Sequence, residues 1–251
     1  MFELKKVQKG RKRLKLITSI IFKIMQLRFK YREKRDDYGI EIFEYFYLPW
    51  RSDKEFNDLY QKFHEYTLNP ESRVYNVYKL SQKYLKADTS FIEVGTWKGG
   101  VSAIVAHANS KKNVEYYLCD TFEGVVKSSK KDTFFKDKEY SDASIEDVKS
   151  ATSLINNSKV NLVSGTFPES FKNINLKHPI SFAHIDVDTY NSAKDSIDFI
   201  FNNSVKGAVI VLDDYGGWFT DGVTKLGNEL IENQQLFAVP NHIGQLIIFK
   251  I

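Results

Sequence analysis

The chain has little of what builds disulfides, cysteine-based metal sites or flexible linkers. Of its 251 residues one is cysteine, Cys119, and five are proline. A single thiol excludes an internal disulfide and a zinc site built from cysteines, and it is consistent with a reducing compartment. The scarcity of proline argues against a long disordered linker. Hydrophobic residues make up 42% of the chain and aromatic residues 14%, which is enough for a folded core with ring-lined clefts.

The net charge of +4 is distributed very unevenly along the chain. Residues 1–36 carry thirteen Lys/Arg against three acidic residues, and the remaining residues carry 23 basic and 29 acidic side chains. The body therefore lacks the basic surface of a nucleic-acid-binding protein, and no nucleic-acid partner is expected. We predict a basic amphipathic arm over residues 1–37 and a single domain over residues 38–251.

The basic arm contains an apolar run, residues 16–27, which Lys23 interrupts. A bilayer span needs about 20 apolar residues, and no small-residue cleavage site of a signal peptide follows the run. We predict an amphipathic helix with two open interpretations. In the first interpretation the helix lies peripherally on the anionic inner face of a membrane. In the second, which is the more ordinary role, it is a solvated helix or packs against another subunit. Both agree with a cytoplasmic protein.

Residues 38–88 form a predicted helical lead-in, and the pattern changes from residue 89 onward. In the lead-in, Phe56, Leu59 and Phe63 fall on one helix face, and Asn69-Pro70 separates this helix from a second one. Farther on, short apolar runs alternate with helical patterns, which is typical of a parallel sheet covered on both faces. Strands are predicted at residues 91–94, 114–120, 160–163, 180–186 and 208–213, and helices at 101–109, 145–155 and 192–201. Ser144 and Asp147 form a predicted capping pair before the second helix.

Two more apolar runs, residues 236–239 and 245–251, are separated by a short turn and predict a terminal antiparallel hairpin. The fold class is therefore α/β, a Rossmann-like core over residues 89–251 with a mostly parallel seven-stranded sheet. Residues 125–140 are charged, fit neither helix nor strand, and follow a strand end. Ligand-covering lids are usually found at such places, and we predict a lid there.

The first predicted strand ends in an acidic residue followed by a glycine turn, E-x-G-x-x-x-G. Gly95 and Gly99 allow a backbone turn to approach a bound ligand. Glu93 is unfavourable for the pyrophosphate that a G-x-G-x-x-G turn holds, and it suits S-adenosylmethionine, which carries an ammonium and a sulfonium. Asp120, at the next strand end, is placed to accept hydrogen bonds from ribose hydroxyls. The glycine pattern alone also fits a tight strand-to-helix turn without a ligand.

Three aspartates at the ends of later strands form a second group, Asp186, Asp213 and Asp214. Oxygen-only ligands suit a hard divalent cation such as Mg²⁺, and Mn²⁺ or Fe²⁺ accept the same ligands. Coordination makes a hydroxyl easier to deprotonate, and Asp188 is close enough in sequence to take the proton. The structural alternative is that single aspartates cap the helices that follow. For His184, a structural hydrogen-bonding role is favoured over metal ligation.

Four segments in this order resemble the macrocin O-methyltransferase family. They are residues 91–100 (FIEVGTWKGG), 120–124 (DTFEG), 182–190 (FAHIDVDTY) and 212–216 (LDDYG). The resemblance runs from about residue 38 to residue 251. It implies a class I methyltransferase fold and a metal- and S-adenosylmethionine-dependent transfer of methyl to a sugar hydroxyl. The acceptor would be a nucleotide-activated sugar, a surface polysaccharide or a glycosylated natural product.

The resemblance also implies roles for single residues. Asp186, Asp213 and Asp214 would hold the metal, and Asp188 would be the general base. The residues expected to contact the cofactor are Glu93, Gly95, Thr96, Trp97, Gly99, Asp120, Thr121, Gly165 and Phe167. Placement beside the acidic residues, or in the terminal turn, suggests a substrate-binding role for Tyr190, Tyr215, Trp218 and His242. A homo-oligomer is expected.

Two other functions remain open. The first is a haloacid-dehalogenase phosphatase, whose motifs resemble residues 186–189 (DVDT) followed by Asp213-Asp214. In such an enzyme Asp186 would be the nucleophile. A D-x-D glycosyltransferase shares this pattern of aspartates. Neither explains residues 93–100. The second alternative is a non-catalytic, membrane-associated glycan-binding or scaffold protein on the same fold. Such a protein is expected to have lost some acidic residues, and all of them are present.

Overall fold

The structure is a computed structural model that describes residues 20, 47–135, 137–153, 159–233 and 236–251. The chain divides into two compact units, Met1–Tyr47 and Leu48–Ile251. The predicted arm and the start of the predicted lead-in lie outside the described residues, except for Ile20, which is exposed. Among the described residues, no helix has both the length and the apolar character needed to cross a membrane.

Within its described residues, the second unit consists of one seven-stranded sheet and six α-helices. The helices are α1 (Lys54–Phe63), α2 (Glu71–Tyr84), α3 (Gly100–Ala108), α4 (Ile145–Ser153), α5 (Tyr190–Asn202) and α6 (Asp221–Glu232). The strands are β1 (Thr89–Val94), β2 (Val114–Asp120), β3 (Val160–Ser164), β4 (Ile180–Ile185), β5 (Ser204–Asp213), β6 (Phe237–Pro240) and β7 (Gln245–Phe249). Short 3-10 turns cover Pro49–Ser52, His64–Tyr66 and Glu169–Phe171.

The sheet order is β3-β2-β1-β4-β5-β7-β6. β1 to β5 pair in parallel, and β7 pairs antiparallel with both β5 and β6. The predicted Rossmann-like class I methyltransferase fold, a mostly parallel sheet closed by a terminal antiparallel hairpin, is confirmed. The parallel strands place their carboxyl ends at one edge of the sheet, where such folds bind ligands.

The central strands are buried on both faces because helices cover each side. Every residue of β1 and β4 is buried. Alternate residues of these strands belong to two different cores. Phe91 and Phe182 are paired in register, with their ring centroids 6.0 Å apart, and they face α1 to α3. Ile92 and Ala183 face α5 and α6 on the other side of the sheet. The two-residue period of a strand separates these faces. The apolar runs that predicted the strands are therefore the centre of the fold.

One helix, α6, is absent from the prediction. Its buried positions include Gly222 and Gly227, and glycine weakens the apolar periodicity by which a helix is recognised. A Cβ atom at Gly222 would overlap the carboxylate of Asp132, and one at Gly227 would overlap the ring of Tyr215. The two glycines therefore let neighbouring segments pack closely against α6. The predicted Ser144–Asp147 capping pair is confirmed, since each residue bonds the backbone N–H of the other at 2.9 and 3.2 Å.

The segment between β2 and α4 contains turns and bends without a helix or strand in its described part. Several contacts fasten it over the strand ends, and two of them reach the first residues of helices. Asp132 accepts a hydrogen bond from the backbone N–H of Tyr190 at 2.8 Å, and the Thr133 hydroxyl donates to Asp221 at 2.7 Å. Tyr190 and Asp221 are the first residues of α5 and α6. The segment predicted as a lid thus rests on the N-termini of two helices beside the carboxyl edge of the sheet.

Candidate active site

Four strands end in backbone conformations that side-chain-bearing residues rarely adopt. Trp97, Phe122, Asp188 and Asp214 have φ values of 48°, 55°, 60° and 64°, and they follow β1, β2, β4 and β5. Each such residue costs free energy and persists only where its surroundings hold it, which is common at functional sites. This clustering of left-handed residues marks the carboxyl edge of the sheet as the candidate site.

A cleft opens at this edge and collects most of the predicted site residues. Its lining includes Glu93, Gly95, Thr96, Trp97, Asp120, Thr121, Gly165, Phe167, Asp186, Asp188 and Asp214. Asp213 is buried beside them, with 1% of its surface exposed. The lining also takes residues from the lead-in, among them Asn69 and Arg73, and from the lid segment, among them Phe135 and Tyr140. One cleft thus joins the glycine turn to the acidic cluster.

The two predicted glycines are needed for reasons within the protein itself. Gly95 has φ +83°, and a Cβ atom there would overlap the carbonyl oxygen of Asp186. Gly99 has φ +85° and precedes α3; its Cβ would lie 3.0 Å from Val148 Cγ1, and Gly99 is not part of the described cleft lining. The sequence-based reason was approach of a ligand. The structure adds that the turn must also fit against neighbouring protein segments, and it places Gly95 in the lining of the cleft.

Glu93 lies at the end of β1 with 1% of its surface exposed. One carboxylate oxygen accepts hydrogen bonds from Thr96 at 2.7 Å and from Ser102, and the other pairs with His184 at 2.8 Å. These partners neutralise and orient a carboxylate that burial would otherwise make costly. Glu93 borders the cleft while it also ties β1 to α3 and β4.

Asp120 shapes the neighbouring turns. Its two oxygens accept the backbone N–H groups of Trp97 and Phe122 at 2.8 and 2.9 Å. Burial raises the pKa of Asp120 above its ordinary value, although these N–H bonds act in the opposite direction. The remaining lone pairs of the carboxylate are available to a hydroxyl pair in the cleft. Thr121 closes the following turn by donating to the Gly124 carbonyl at 2.8 Å.

The acidic cluster draws its partners from the helical lead-in. Arg73, in the first turn of α2, places Nη1 2.8 Å from Oδ1 of Asp213 and 2.8 Å from Oδ1 of Asp214. Asn69, just before α2, donates to Oδ2 of Asp186 at 2.8 Å. The lead-in is therefore part of the site and not only a packing element.

Negative charge exceeds positive charge in this cluster. Burial and the charges of Asp213 and Asp214 raise the pKa of Asp186 well above its usual range. Burial and the charge of Asp214 do the same for Asp188. Burial alone would raise the pKa of Asp213, but His184 and Arg73 together lower it below its ordinary value. Two cationic groups, Arg73 and His184, thus face these four aspartates and Glu93, and the surplus of acidic groups favours a bound cation.

The donor set fits a hard divalent cation better than a zinc-like one. One ligand atom each from His184, Asp186 and Asp213 lies within 4.8 Å of the others. Both ring nitrogens of His184 already face carboxylates, Glu93 and Asp213, at 2.8 and 3.1 Å. The favoured structural role of His184 agrees with these contacts. Oxygen atoms from Asp186 and Asp213 are left in this group as the ligands that Mg²⁺ prefers; Asp214 is not part of the group and is tied to Asp213 through Arg73.

The four predicted substrate residues lie around the cleft, but none belongs to its described lining. Tyr190 is buried, and its hydroxyl donates to Glu229 at 2.6 Å. The Tyr215 hydroxyl donates to Asn228 at 2.7 Å, and His242 is exposed. Trp218 lies beside the cleft-lining Phe219, with ring centroids 4.7 Å apart.

Two groups of site residues were not predicted from the sequence. The first group is Arg73 with Asn69. Arg73 lies four positions before the buried Val77 and therefore on the inner face of α2, and this spacing is the sequence signal by which it could have been found. The second is a set of rings that surrounds the predicted Trp218, where Phe134 contacts Trp218 at 5.4 Å between centroids. The other members of this aromatic cluster are Phe135, Tyr140 and Phe219. Its signal was the pair of phenylalanines in an otherwise charged segment.

Solved structures share this fold at low sequence identity. The O-methyltransferase NovP is 15% identical, with a TM-score of 0.60 over 74% of this chain and 82% of its own. The calicheamicin methyltransferase CalS11 is 13% identical, with a TM-score of 0.56 over 84% and 97%. The Podospora anserina methyltransferase PaMTH1, solved with SAH bound, is 9% identical, with a TM-score of 0.55 over 82% and 98%. These likenesses concern the fold.

Sequence comparison gives the family. No curated protein matches this chain in sequence. The sequence profile of the family described as macrocin-O-methyltransferase (TylF) matches residues 61–248, which include α2, the whole sheet except its last residue, and every acidic residue of the cleft. The chain belongs to the macrocin-O-methyltransferase family and is an S-adenosylmethionine-dependent O-methyltransferase.

Proposed function

We propose that this enzyme depends on a divalent metal and transfers a methyl group to a hydroxyl of a sugar. The observation that carries the proposal is the crowding of Asp186, Asp188, Asp213 and Asp214 beside the glycine turn, with the pKa values of Asp186 and Asp188 raised. A phenol, with a pKa of about 10, loses its proton more readily than a sugar hydroxyl, although it too is protonated at neutral pH. A sugar hydroxyl holds its proton far above neutral pH, so it needs both a cation and a base.

The cofactor half of the cleft would be formed by the ends of β1, β2 and β3. S-adenosylmethionine supplies a methyl group on a cationic sulfur. Glu93 contributes negative charge beneath the glycine turn, and Asp120 offers carboxylate oxygens to the ribose hydroxyls. Phe167 and Gly165 line the end of the cleft that follows β3 and would accommodate the adenine.

The acidic half of the cleft would be formed by the ends of β4 and β5. Asp186, Asp213 and Asp214 would hold Mg²⁺, or Mn²⁺ or Fe²⁺, which on binding stabilises the alkoxide form of a hydroxyl. Asp188 takes the hydroxyl proton as the general base. The lid segment excludes water from the two reactants, which the cleft aligns for in-line transfer.

The aromatic cluster suits the ring faces of a sugar. Phe135, Tyr140 and Phe219 line the cleft, and their rings stand next to the acidic half, where the charges of Asp188 and Asp214 contribute to a raised pKa of Tyr140. Four rings of the region are at least 37% exposed: Phe134, Tyr140, Trp218 and Phe219. Such a grouping of exposed rings is uncommon unless it binds something. The proposed acceptors are a nucleotide-activated sugar, a surface polysaccharide or a glycosylated natural product.

Two measurements test this function. The first is calorimetric titration with S-adenosylhomocysteine, with and without Mg²⁺, for which we expect micromolar affinity. The second is methyl transfer to a panel of nucleotide sugars, glycosides and, for comparison, catechols, before and after metal removal with a chelator. Transfer to glycosides that stops on chelation and returns with Mg²⁺ supports the proposal. Transfer to catechols alone, or undiminished transfer after chelation, contradicts it.

The cellular setting is part of the same proposal. We place the enzyme in the cytoplasm as a homo-oligomer, with the basic residues 1–36 in peripheral contact with the inner face of the membrane. Sedimentation of the full chain with anionic and with neutral vesicles tests the contact, because charge attraction predicts binding to the anionic vesicles alone. Light scattering gives the number of subunits.

A further inference from the structure

Arg73 lies between the carboxylates of Asp213 and Asp214. Its Nη1 atom is 2.8 Å from one oxygen of Asp213 and 2.8 Å from one oxygen of Asp214. The two carboxylates follow one another at the end of β5, and without a cation between them they would repel each other. Their charges raise the pKa of Arg73 against the opposite effect of burial. A guanidinium keeps its proton under all ordinary conditions.

The guanidinium is held from several sides. Nε donates to the carbonyl oxygen of Ile243 at 2.8 Å, and the side chain is 20% exposed. Gly244 leaves room for the guanidinium, because a Cβ atom there would lie 2.5 Å from Nη2. The backbone of Arg73 belongs to α2, which packs into the core through Val74, Val77 and Tyr78. Arg73 is therefore fixed above the acidic pair by both its helix and the β6–β7 turn.

The same helix region also supplies donors to the remaining oxygens of the cluster. Asn69 donates to Asp186 at 2.8 Å. Asn76 donates to the Gln245 side chain at 2.7 Å, and Gln245 in turn donates to Asp213 Oδ2 at 3.0 Å. Residues 69–76 thus hold the proposed metal ligands in place directly or through one intermediate.

We propose that Arg73 is an internal counter-ion that keeps Asp213 and Asp214 together without metal and competes with a divalent cation for their oxygens. Arg73 is then a positioning residue that sets the metal affinity of the site. This inference rests on the metal site of the proposed function. It explains how two adjacent buried aspartates are held side by side before the metal binds, and it predicts an affinity weaker than the ligand set alone would give.

The test measures Mn²⁺ binding by calorimetry, without acceptor or turnover. Arg73→Gln removes the charge and keeps a side chain of similar reach; Arg73→Lys keeps the charge but loses the Nε–H bond to the Ile243 carbonyl that holds the guanidinium above the two carboxylates. We expect Arg73→Gln to bind Mn²⁺ at least about tenfold more tightly than the wild-type chain, with Arg73→Lys between them. The metal-free Arg73→Gln protein should melt at a lower temperature and gain more from Mn²⁺. Arg51→Gln, the same change at an exposed position, should match the wild type.

The outcomes separate this inference from the function on which it rests. Equal or weaker Mn²⁺ binding by both Arg73 variants, with a wild-type chain that binds Mn²⁺, overturns the competition and leaves the metal-dependent function standing. No Mn²⁺ binding by the wild-type chain, in samples that bind S-adenosylhomocysteine, overturns the metal site and the inference with it. If Arg73→Gln does not fold, Arg73→Lys decides, since competition requires it to bind Mn²⁺ more tightly than the wild type.

Discussion

The single imidazole of His184 joins Glu93, near the end of β1, to Asp213, at the end of β5. His184 on β4 lies 2.8 Å from Glu93 Oε1 and 3.1 Å from Asp213 Oδ2. Burial alone would lower the pKa of His184, but the two carboxylates raise it well above its ordinary value. The imidazolium donates to both sides. The cofactor half and the acidic half of the cleft thus share one buried cation.

We expect His184→Gln to destabilise the fold strongly. It removes a positive charge between two carboxylates with 1% exposure each, and loss of one partner of a buried pair costs about 3 kcal/mol or more. Chemical denaturation should show this loss as a lower midpoint. His107→Gln is the matched control, because His107 is exposed on α3. A His184→Gln protein as stable as the His107→Gln protein would show that the bridge contributes nothing.

We expect Asp186→Asn to abolish turnover and to leave S-adenosylhomocysteine affinity within about threefold of the wild type. Asparagine keeps the size of the side chain and can still pair with Asn69, but it offers a neutral oxygen to a cation. Rate measurements with a glycoside acceptor, together with calorimetry, separate the two effects. Asp198→Asn, on the exposed face of α5, serves as control. Full activity of Asp186→Asn in a metal-free buffer is the result that excludes the mechanism.

Gly95→Ala and Gly216→Ala form a matched pair. Both glycines have positive φ, +83° and +80°, so alanine is strained by about 1 kcal/mol or more at either position. A Cβ at Gly95 overlaps the Asp186 carbonyl, whereas one at Gly216 meets nothing within 4 Å. We expect Gly95→Ala to lose much more stability, and S-adenosylhomocysteine affinity as well. Equal melting temperatures for the two variants would mean that the close approach of β1 and β4 is not required.

We expect Trp218→Ala to raise the acceptor KM severalfold and to leave S-adenosylhomocysteine binding unchanged. The ring of Trp218 supports Phe134 and Phe219 at the cleft mouth, at centroid distances of 5.4 and 4.7 Å. Its removal loosens the aromatic cluster without touching the glycine turn. Phe237→Ala removes an even more exposed ring from β6, at the far edge of the sheet, and should change neither quantity. An unaltered KM in the Trp218 variant argues against a role of the cluster in acceptor binding.

The sheet and the positions of its acidic residues could be predicted because they follow from local patterns. Continuous apolar runs separated by helical ones require a covered parallel sheet, and a parallel sheet brings the ends of its strands to one edge. Glu93, Asp120, Asp186 and Asp214 were therefore placed in one cleft before any distance was known. The helix α6 escaped prediction because glycines at its buried positions interrupt its periodicity.

The sequence by itself determined which residues end the strands: a glycine turn after the first, the carboxylate of Asp120 at the second, and an acidic cluster at the fourth and fifth. Only the tertiary structure decided what those residues touch. Arg73 meets Asp214 across 141 residues of chain and the Ile243 carbonyl across 170, and His184 meets Glu93 across 91. Periodicity reports which face of an element is buried, and it carries no information about a partner so distant in sequence. Those pairings exist because the packed core brings α2, β1 and β4 together with β5 and the last turn, and burial then requires each charge to find an opposite one.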